Sequence, residues 1–279
     1  MALRSALINV MERAARKAAR GLVRDFGEVE QLQVSRKGPA DFVTTADLRA
    51  ERVLSAELKR ARPGFGLLSE ESGGEAGDGH HRFIVDPLDG TSNFLHGIPH
   101  FAISIALETN GEITAGVILE PIHDELYWGE KGQGAFVNER RLRVSARGRL
   151  TDALIGTGVP FHGHGDHPRY LKSMAAVMPE VAGIRRMGTA SLDLAYVAAG
   201  RLDGYWEFDL QPWDIAAGIL IVREAGGYIS EVDGGRNMLA SGSVLAANDK
   251  LMKPLADLLQ GALGEPPTPQ AERAPAKPL

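Results

Sequence analysis

The sequence predicts a layered α/β protein whose helices pack on two separate β-sheets. Apolar residues recur at helical spacing near the N-terminus, and short runs typical of antiparallel strands follow between residues 102 and 137. From about residue 150, strand patterns alternate with helical patterns, which is typical of helices layered on a sheet. The length of 279 residues accommodates one large domain. We predict it over residues 1–261, with two sheet-containing halves that divide near residue 150.

Two amphipathic helices open the first half. Residues 4–25 form the first helical pattern, and residues 46–61 form the second, with Thr45 as the expected N-cap. Short elements follow them: a strand at 64–68, a loop at 73–81, a strand at 83–86 and a short helix at 91–95. The strand at 83–86 begins with three apolar residues, so we expect it to be buried.

The middle of the chain predicts an antiparallel sheet. Asn110-Gly111 is a strong signal for a tight hairpin turn. Gly132-Gln133-Gly134 follows one hairpin and precedes a strand, so it predicts a turn rather than a phosphate-binding loop. The strands are predicted at 102–107, 114–119, 125–128 and 135–137.

The second half predicts alternating strands and helices and ends in a proline-rich tail. Strands are predicted at 153–157, 183–187, 204–208 and 227–231, and helices at 168–178, 190–199 and 213–225. His162–His167 carries three histidines among glycines, and we interpret it as a surface loop in preference to a metal site. Residues 262–279 contain five prolines and few apolar residues, which predicts disorder.

The composition excludes several classes of protein and site. The net charge of −5 leaves no domain-wide basic excess of the kind that nucleic-acid binding favours. The absence of cysteine excludes disulfides and thiolate metal sites, and it fits a reducing compartment. Because no apolar run reaches the length of a membrane span, we expect a cytoplasmic protein without a membrane partner.

The segment from Asp86 to Thr91 is the most informative part of the sequence. Asp86 ends a buried strand, where a carboxylate is costly to desolvate, and Asp89 adds a second negative charge three residues later. A bound cation resolves both problems. The Gly90-Thr91 backbone can then offer N–H groups to an anion, so one short segment predicts a metal and a phosphate held together.

Six acidic residues stand where predicted strands or helices begin or end: Asp47, Glu70, Glu71, Asp86, Asp89 and Asp214. Each has an ordinary explanation when taken alone, such as capping a helix. Together they lie in four motifs whose order and spacing resemble the inositol monophosphatase family of metal-dependent phosphatases. The motifs are DFVTTAD at 41–47, LSEES at 68–72, VDPLDGTSNF at 85–94 and WDIAAG at 213–218.

The resemblance implies a layered α-β-α-β-α sandwich of the inositol monophosphatase and fructose-1,6-bisphosphatase type. It also implies two or three Mg²⁺ ions, for which Mn²⁺ can substitute. Glu70, Asp86 and the Leu88 carbonyl would hold the first ion, and Asp86, Asp89 and Asp214 the second, with Glu70 reaching a weaker third. An all-oxygen ligand set of this kind suits a hard cation.

The resemblance further assigns catalytic and phosphate-binding roles. Thr91 and Asp47 would orient and help deprotonate a metal-activated water that attacks phosphorus, and Glu71 would support that network. The N–H groups of Gly90 and Thr91 would bind the phosphate. Gly90 also permits a close approach of the backbone.

Substrate identity is expected elsewhere in the chain. Gly188, Thr189 and Ala190 resemble the family loop beside the sugar or polyol ring. Glu207 aligns with the acid that contacts inositol hydroxyls, and Asp214 lies near the same ring. A carboxylate that accepts from hydroxyls favours a polyol, so we predict a myo-inositol monophosphate. Fructose 1,6-bisphosphate, 3′-phosphoadenosine 5′-phosphate and histidinol phosphate are the alternative phosphate esters.

A regulatory binding protein is the alternative from a different class, because some bacterial proteins that resemble this chain act with the transcription machinery. A basic stripe on the first helix could serve RNA or a protein partner, although a solvated helix face is the favoured interpretation. The stripe consists of Arg13, Arg16, Lys17, Arg20 and Arg24. The resemblance also implies a homodimer and inhibition by Li⁺.

Overall fold

The computed structural model of the chain describes residues 4–28, 34–38 and 41–264, with residues 34–38 and 41–43 described in their backbone only. The elements of the first half form the large sheet, the two helices that cover it, a short helix and a separate two-stranded antiparallel sheet. They are α1 (Ala6–Phe26), β1 (Val34–Gly38), β2 (Asp41–Thr44), α2 (Thr45–Ala61), β3 (Gly66–Ser69), β4 (Gly73–Glu75), β5 (His81–Asp89), α3 (Thr91–Leu95), β6 (Ala102–Thr109), β7 (Glu112–Glu120), β8 (Glu125–Glu130), β9 (Gly134–Val137) and β10 (Arg140–Arg141).

The second half forms the other sheet and the remaining helices. They are β11 (Leu154–Thr157), α4 (His167–Val177), β12 (Gly183–Arg185), α5 (Ala190–Ala198), β13 (Gly204–Glu207), α6 (Pro212–Glu224), β14 (Tyr228–Ser230), α7 (Met238–Ser241), β15 (Val244–Ala247) and α8 (Met252–Leu263).

The larger sheet has eight strands in the order β10-β9-β8-β7-β6-β5-β3-β4. Every neighbouring pair in it is antiparallel except β3 and β5, which are parallel. Phe83 and Val85 point into the core formed with α1 and α2, whereas Ile84 points into the core formed with α5 and α6. Burial of both faces explains why this strand is apolar at successive positions.

The smaller sheet has five strands in the order β12-β11-β13-β15-β14. Tyr205 and Ala246 pack against α5 and α6, whereas Trp206 and Leu245 pack on the opposite face with residues of α4 and α8. The order of layers is therefore α1/α2, large sheet, α5/α6, small sheet and α4/α8. The layered α-β-α-β-α prediction is confirmed.

Close approach between layers depends on small residues in the strands. A Cβ on Gly116 of β7 would lie 2.9 Å from the Ala217 carbonyl oxygen of α6, so a side chain there would push the helix from the sheet. The apolar α6, with residues 215–222 all buried, fills the space between the two sheets.

Most predicted elements are observed, with shifts of one or a few residues at their ends. The Asn110-Gly111 turn is confirmed, with positive φ angles of 50° and 80°, and residues 161–166 are an exposed, irregular loop. The N-cap of α2 is Thr44 and not Thr45, because the Thr44 hydroxyl accepts the backbone N–H groups of Ala46 and Asp47.

Three further predictions need correction. Gly73–Glu75, predicted as loop, forms β4 because it pairs with β3. Six other elements were not predicted: β1, β2, β10, α7, β15 and α8. The last of them, α8, continues to Leu263, past the expected boundary at residue 261. The rest of the predicted disordered tail, 265–279, lies outside the described residues. None of the described helices is long and apolar enough to cross a membrane.

Candidate active site

The C-terminal end of β5 holds the two acids that the sequence singled out. The pairing register between β5 and β6 shifts between Asp86 and Asp89, at the position of Pro87. The Leu88 N–H donates to Asp86 Oδ1 over 2.9 Å, while the Leu88 side chain is fully buried in the core with α1 and α2. The Leu88 carbonyl points toward α3 and accepts the Thr91 hydroxyl at 3.0 Å.

Asp47 and Thr91 meet at this point from different elements. Thr91 Oγ1 lies 3.2 Å from Asp47 Oδ1, and the other Asp47 oxygen accepts the Thr44 N–H at 2.9 Å and the Thr44 hydroxyl. Burial raises the pKa of Asp47, and the hydrogen bonds from Thr44 offset part of that rise. The predicted Asp47–Thr91 pair is therefore formed in the structure.

Four of the predicted metal ligands lie close enough to repel one another. Burial raises the pKa of Asp86 well above its ordinary value, and the charges of Glu70, Asp89 and Asp214 raise it further. Burial raises the pKa of Asp89 to about 6, although hydrogen bonds from Ser191 lower it in part. Burial also raises the pKa of Asp214, and the negative charge of Asp89 raises it further. The negative charges of these neighbouring carboxylates favour the binding of protons or of a cation.

The chemistry of this donor set fits a hard divalent cation. Asp86, Asp89 and Asp214 form no ion pair with a lysine, arginine or histidine of the described residues. Carboxylate and carbonyl oxygens are the ligands that Mg²⁺ prefers. No three such acids or histidines in residues 4–28 and 44–264 already stand in the arrangement of a formed metal site. A cation would therefore have to draw the carboxylates together.

Glu51 supports the Glu70-Glu71 segment and was missed by sequence reasoning. Its Oε2 accepts the Ser69 hydroxyl at 2.5 Å and the Glu71 N–H at 3.0 Å, and Glu51 is buried. Glu51 lies four residues after Asp47 on α2, and this helical spacing was the available signal, because it places both acids on one buried face.

Gly90 joins β5 to α3 in a conformation that favours glycine. Its φ is +95°, and a Cβ there would lie 2.6 Å from Thr189 Oγ1 and 3.1 Å from the His100 carbonyl oxygen. The 188–190 loop is thus packed directly against the turn that carries the predicted phosphate-binding N–H groups.

Asn93 fixes the 188–190 loop in place and was also missed. Its side-chain amide donates to the His100 carbonyl at 2.8 Å and to the Met187 carbonyl at 2.9 Å. The next residue after the loop, Ser191, donates its backbone N–H to Asp89 Oδ2 at 2.8 Å. The loop of Gly188, Thr189 and Ala190 therefore lies beside Asp89 and Gly90, and its predicted place beside a sugar or polyol ring stays a prediction.

Glu207 ends β13 on the side of the site that faces Asp89. Its carboxylate accepts the Tyr205 hydroxyl and lies against the α-carbon of Gly158, where a Cβ would be 1.7 Å from Glu207 Oε1. Burial raises the pKa of Glu207 to about 7, and the negative charge of Asp89 contributes to the same rise. Glu207 and the metal-ligand candidates therefore share one electrostatic environment.

Asp214 and Asp193 complete this acidic region. Asp214 caps the start of α6, where its Oδ2 accepts the Gln211 N–H at 2.8 Å. Asp193 is fully buried and was not predicted. Neither of its oxygens has a hydrogen-bond partner among the described residues. Burial raises the pKa of Asp193, and the negative charge of Glu207 raises it further.

The chain matches the family model described as "Inositol monophosphatase family" over residues 3–263. It is 59% identical to the inositol-1-monophosphatase of Rhizobium meliloti over 258 residues, which cover 92% of this chain and 97% of that protein. It is 43% identical to the Nus factor SuhB of Pseudomonas aeruginosa, over 91% of this chain and 96% of that protein.

The fold also resembles that of a solved structure. The crystal structure of the extragenic suppressor protein suhB from Bartonella henselae has a TM-score of 0.90 and 58% sequence identity, and the match covers 92% of this chain and 99% of that chain.

Proposed function

Because this chain belongs to the inositol monophosphatase family, we propose that it hydrolyses a myo-inositol monophosphate to myo-inositol and phosphate with the help of Mg²⁺. The phosphatase activity follows from the family, and the preferred ester and the metal are our proposals. One observation supports metal-assisted hydrolysis above all: the Asp47–Thr91 hydrogen bond of 3.2 Å lies beside the mutually repelling carboxylates of Asp86, Asp89 and Asp214.

The metal-ligand candidates are Glu70, Asp86, Asp89, Asp214 and the carbonyl of Leu88. When bound, Mg²⁺ or Mn²⁺ supplies positive charge that offsets the phosphate and makes water more acidic. The protein contributes the oxygen atoms. Because the carboxylates repel one another, a bound cation lowers their electrostatic energy. Two or three ions are expected from the resemblance to the family.

Thr91 and Asp47 provide the path for a proton. The single proton of the Thr91 hydroxyl has two acceptors within reach, the Leu88 carbonyl at 3.0 Å and Asp47 Oδ1 at 3.2 Å. When the proton turns from Leu88 to Asp47, the two lone pairs of the hydroxyl can accept from an attacking water. Burial raises the pKa of Asp47, which makes it a better proton acceptor near neutral pH. The hydrogen bonds from Thr44 hold the Asp47 carboxylate in the orientation that faces Thr91.

The phosphate has its own place at the turn between β5 and α3. The first N–H groups of a helix have no partner within the helix, so those of Gly90 and Thr91 are available to phosphate oxygens. Glu71, which the family resemblance assigns to the support of the attacking water, is held in place by the bond from its N–H to Glu51. The left-handed Gly90 allows the backbone to approach a bound phosphate closely.

Glu207 is the residue that supports a polyol substrate. An ionised carboxylate accepts hydrogen bonds from two hydroxyl groups, which a ring with adjacent hydroxyls can provide. The 188–190 loop flanks the same space, because it packs on Gly90 and its neighbour Ser191 binds Asp89.

Phosphate release from four esters in the presence of Mg²⁺ tests the proposal. The substrates are myo-inositol 1-phosphate, fructose 1,6-bisphosphate, 3′-phosphoadenosine 5′-phosphate and histidinol phosphate. We expect the highest kcat/KM for the inositol ester. A clear preference for the adenosine substrate would contradict the assignment of Glu207, whereas hydrolysis of none of the four would contradict the proposed activity as a whole.

A second candidate function is an association with the transcription machinery, which similarity to proteins named Nus factor SuhB supports. Asp89→Asn separates the two functions, since hydrolysis should collapse while binding to a partner should survive.

A homodimer and inhibition by millimolar LiCl remain predictions from the family, to be checked by light scattering and by phosphate release.

A further inference from the structure

A groove of about 530 Å³ lies between α1 and α2 and has a strongly positive lining. Its cationic side chains recur on one face of α1 and are joined by one from α2. They are Arg13, Arg16, Lys17, Arg20 and Arg60. Only two acids, Glu12 and Glu57, line it as well, so the groove carries three net positive charges in a chain whose net charge is −5.

Glu57 forms the floor of the groove and fixes one cation from each helix. It is only 4% exposed, and its two oxygens accept Lys17 Nζ at 2.6 Å and Arg60 Nη2 at 2.5 Å. One carboxylate therefore holds Lys17 of α1 and Arg60 of α2 side by side. Each cation keeps further N–H groups, because an ammonium has three donors and a guanidinium five.

Glu12 is occupied in the same way, which leaves two arginines unneutralised. Its oxygens accept Arg16 Nε at 2.8 Å and Arg4 Nη1 at 2.6 Å. Arg13 and Arg20 form no hydrogen bond or ion pair with any of the described residues. Arg24, which the sequence grouped with this stripe, lies outside the groove and pairs with Asp25. The available positive charge is therefore concentrated between the two helices.

We propose that this groove binds a compact anion with two or more adjacent phosphate groups. Its volume is in the range of small-ligand sites, and guanidinium groups match phosphate oxygens in charge and geometry. Lys17 and Arg60 are already held in place by Glu57, which reduces the entropy lost on binding. An extended nucleic acid would need a wider basic surface than a single groove on an acidic protein offers.

Titration calorimetry with tripolyphosphate in metal-free buffer tests the proposal on the full chain. Without metal, the acidic active site repels anions, so binding under these conditions reports on the groove. We expect one tripolyphosphate per chain and an affinity that falls as salt is added. Arg13→Gln combined with Arg20→Gln should weaken the affinity at least tenfold, because both side chains reach the groove without a partner of their own.

Arg52→Gln combined with Arg143→Gln is the matched control. It removes two exposed arginines that do not line the groove, and the affinity should change less than twofold. Equal weakening in both double variants, or the absence of saturable binding, would overturn the proposal. So would tight binding of a twelve-nucleotide single-stranded RNA without binding of tripolyphosphate. Thermal melting and Mg²⁺-dependent phosphate release establish that each variant is folded.

Discussion

Thr91 Oγ1 lies 3.2 Å from Asp47 Oδ1, although 44 positions separate the two residues in the sequence. Asp47 is held in the first turn of α2 by its bonds to Thr44, and Thr91 begins α3 after the left-handed Gly90. The hydroxyl and the carboxylate are therefore fixed from opposite sides. This contact connects a proton acceptor to the segment that carries the predicted metal ligands.

Thr91→Val should lower kcat about 10²- to 10⁴-fold with a small change in KM, because it removes the hydroxyl that links the attacking water to Asp47. Thr91→Ser should retain most of the activity. Steady-state kinetics on myo-inositol 1-phosphate provide both constants. Thr114→Val is the control, since it removes another half-buried hydroxyl that donates to a backbone carbonyl far from the site. A normal kcat for Thr91→Val would contradict the proton path.

Gly90→Ala should destabilise the protein more than Gly97→Ala. Both glycines have positive φ, +95° and +67°, but a Cβ on Gly90 would lie 2.6 Å from Thr189 Oγ1 whereas Gly97 has open space. The backbone penalty common to both is about 1–2 kcal/mol. Urea unfolding measures the difference, and Gly90→Ala should also raise KM because it displaces the 188–190 loop. Equal losses of stability would show that the contact is not important.

Glu51→Ala should reduce the free energy of unfolding by about 1–3 kcal/mol, since it leaves the Ser69 hydroxyl and the Glu71 N–H without their acceptor. It should also weaken Mg²⁺ binding, because Glu70 lies between those two residues. Glu51→Gln keeps an oxygen acceptor and should restore much of both properties. Urea unfolding and Mg²⁺ titration of activity provide the two measurements. A Glu51→Gln variant as defective as Glu51→Ala would argue against the positioning role of Glu51.

The KM for myo-inositol 1-phosphate should rise as the pH falls from 8 to 6. Burial raises the pKa of Glu207 to about 7, so the carboxylate is ionised and accepts two hydroxyl groups above this pH and is protonated below it. Charge-assisted hydrogen bonds of this kind contribute about 1.5–3 kcal/mol, which corresponds to a change in KM of about tenfold or more. Glu207→Gln should have a high KM that no longer varies between these pH values.

Glu180→Gln, which changes an exposed glutamate, is the control for this pH series. The native pH dependence of KM should persist in it. If it also persisted in Glu207→Gln, another group would be responsible.

Removal of divalent metal should abolish hydrolysis, and Mg²⁺ should stabilise the folded chain. At a concentration one hundred times its Kd, a ligand that binds only the folded state adds about 2.7 kcal/mol. Asp89→Asn should lose most of this stabilisation because it removes one ligand and one of the repelling charges. Thermal melting with and without MgCl₂ provides the measurement. Asp257→Asn, which changes an exposed carboxylate in α8, should respond to Mg²⁺ like the native chain.

Strand and helix patterns, together with the family resemblance of four motifs, predicted the layered architecture, and the same motifs predicted the candidate site residues. Hydrophobic periodicity located most helices and strands up to residue 231, because buried positions recur every 2 residues in strands and every 3.6 in helices. The short strands β1, β2, β4 and β10 were not predicted. The Asp86–Thr91 segment predicted metal and phosphate chemistry, because two carboxylates at a buried strand end need compensation. The short strand β15 was not predicted, since four apolar residues carry too little periodicity to define a strand. The helix α8 was missed although its buried Leu255 and Leu259 recur at helical spacing.

Only the tertiary structure decided which distant groups meet. Nothing local in α2 says that Asp47 contacts Thr91 or that Glu51 accepts the Glu71 N–H. The adjacency of Glu207 to Asp89 likewise depends on two different sheets that face the same helix layer. The physical reason is that side-chain patterns encode how deeply a residue is buried. Contacts between particular residues depend on the packing of whole layers, which no short segment contains.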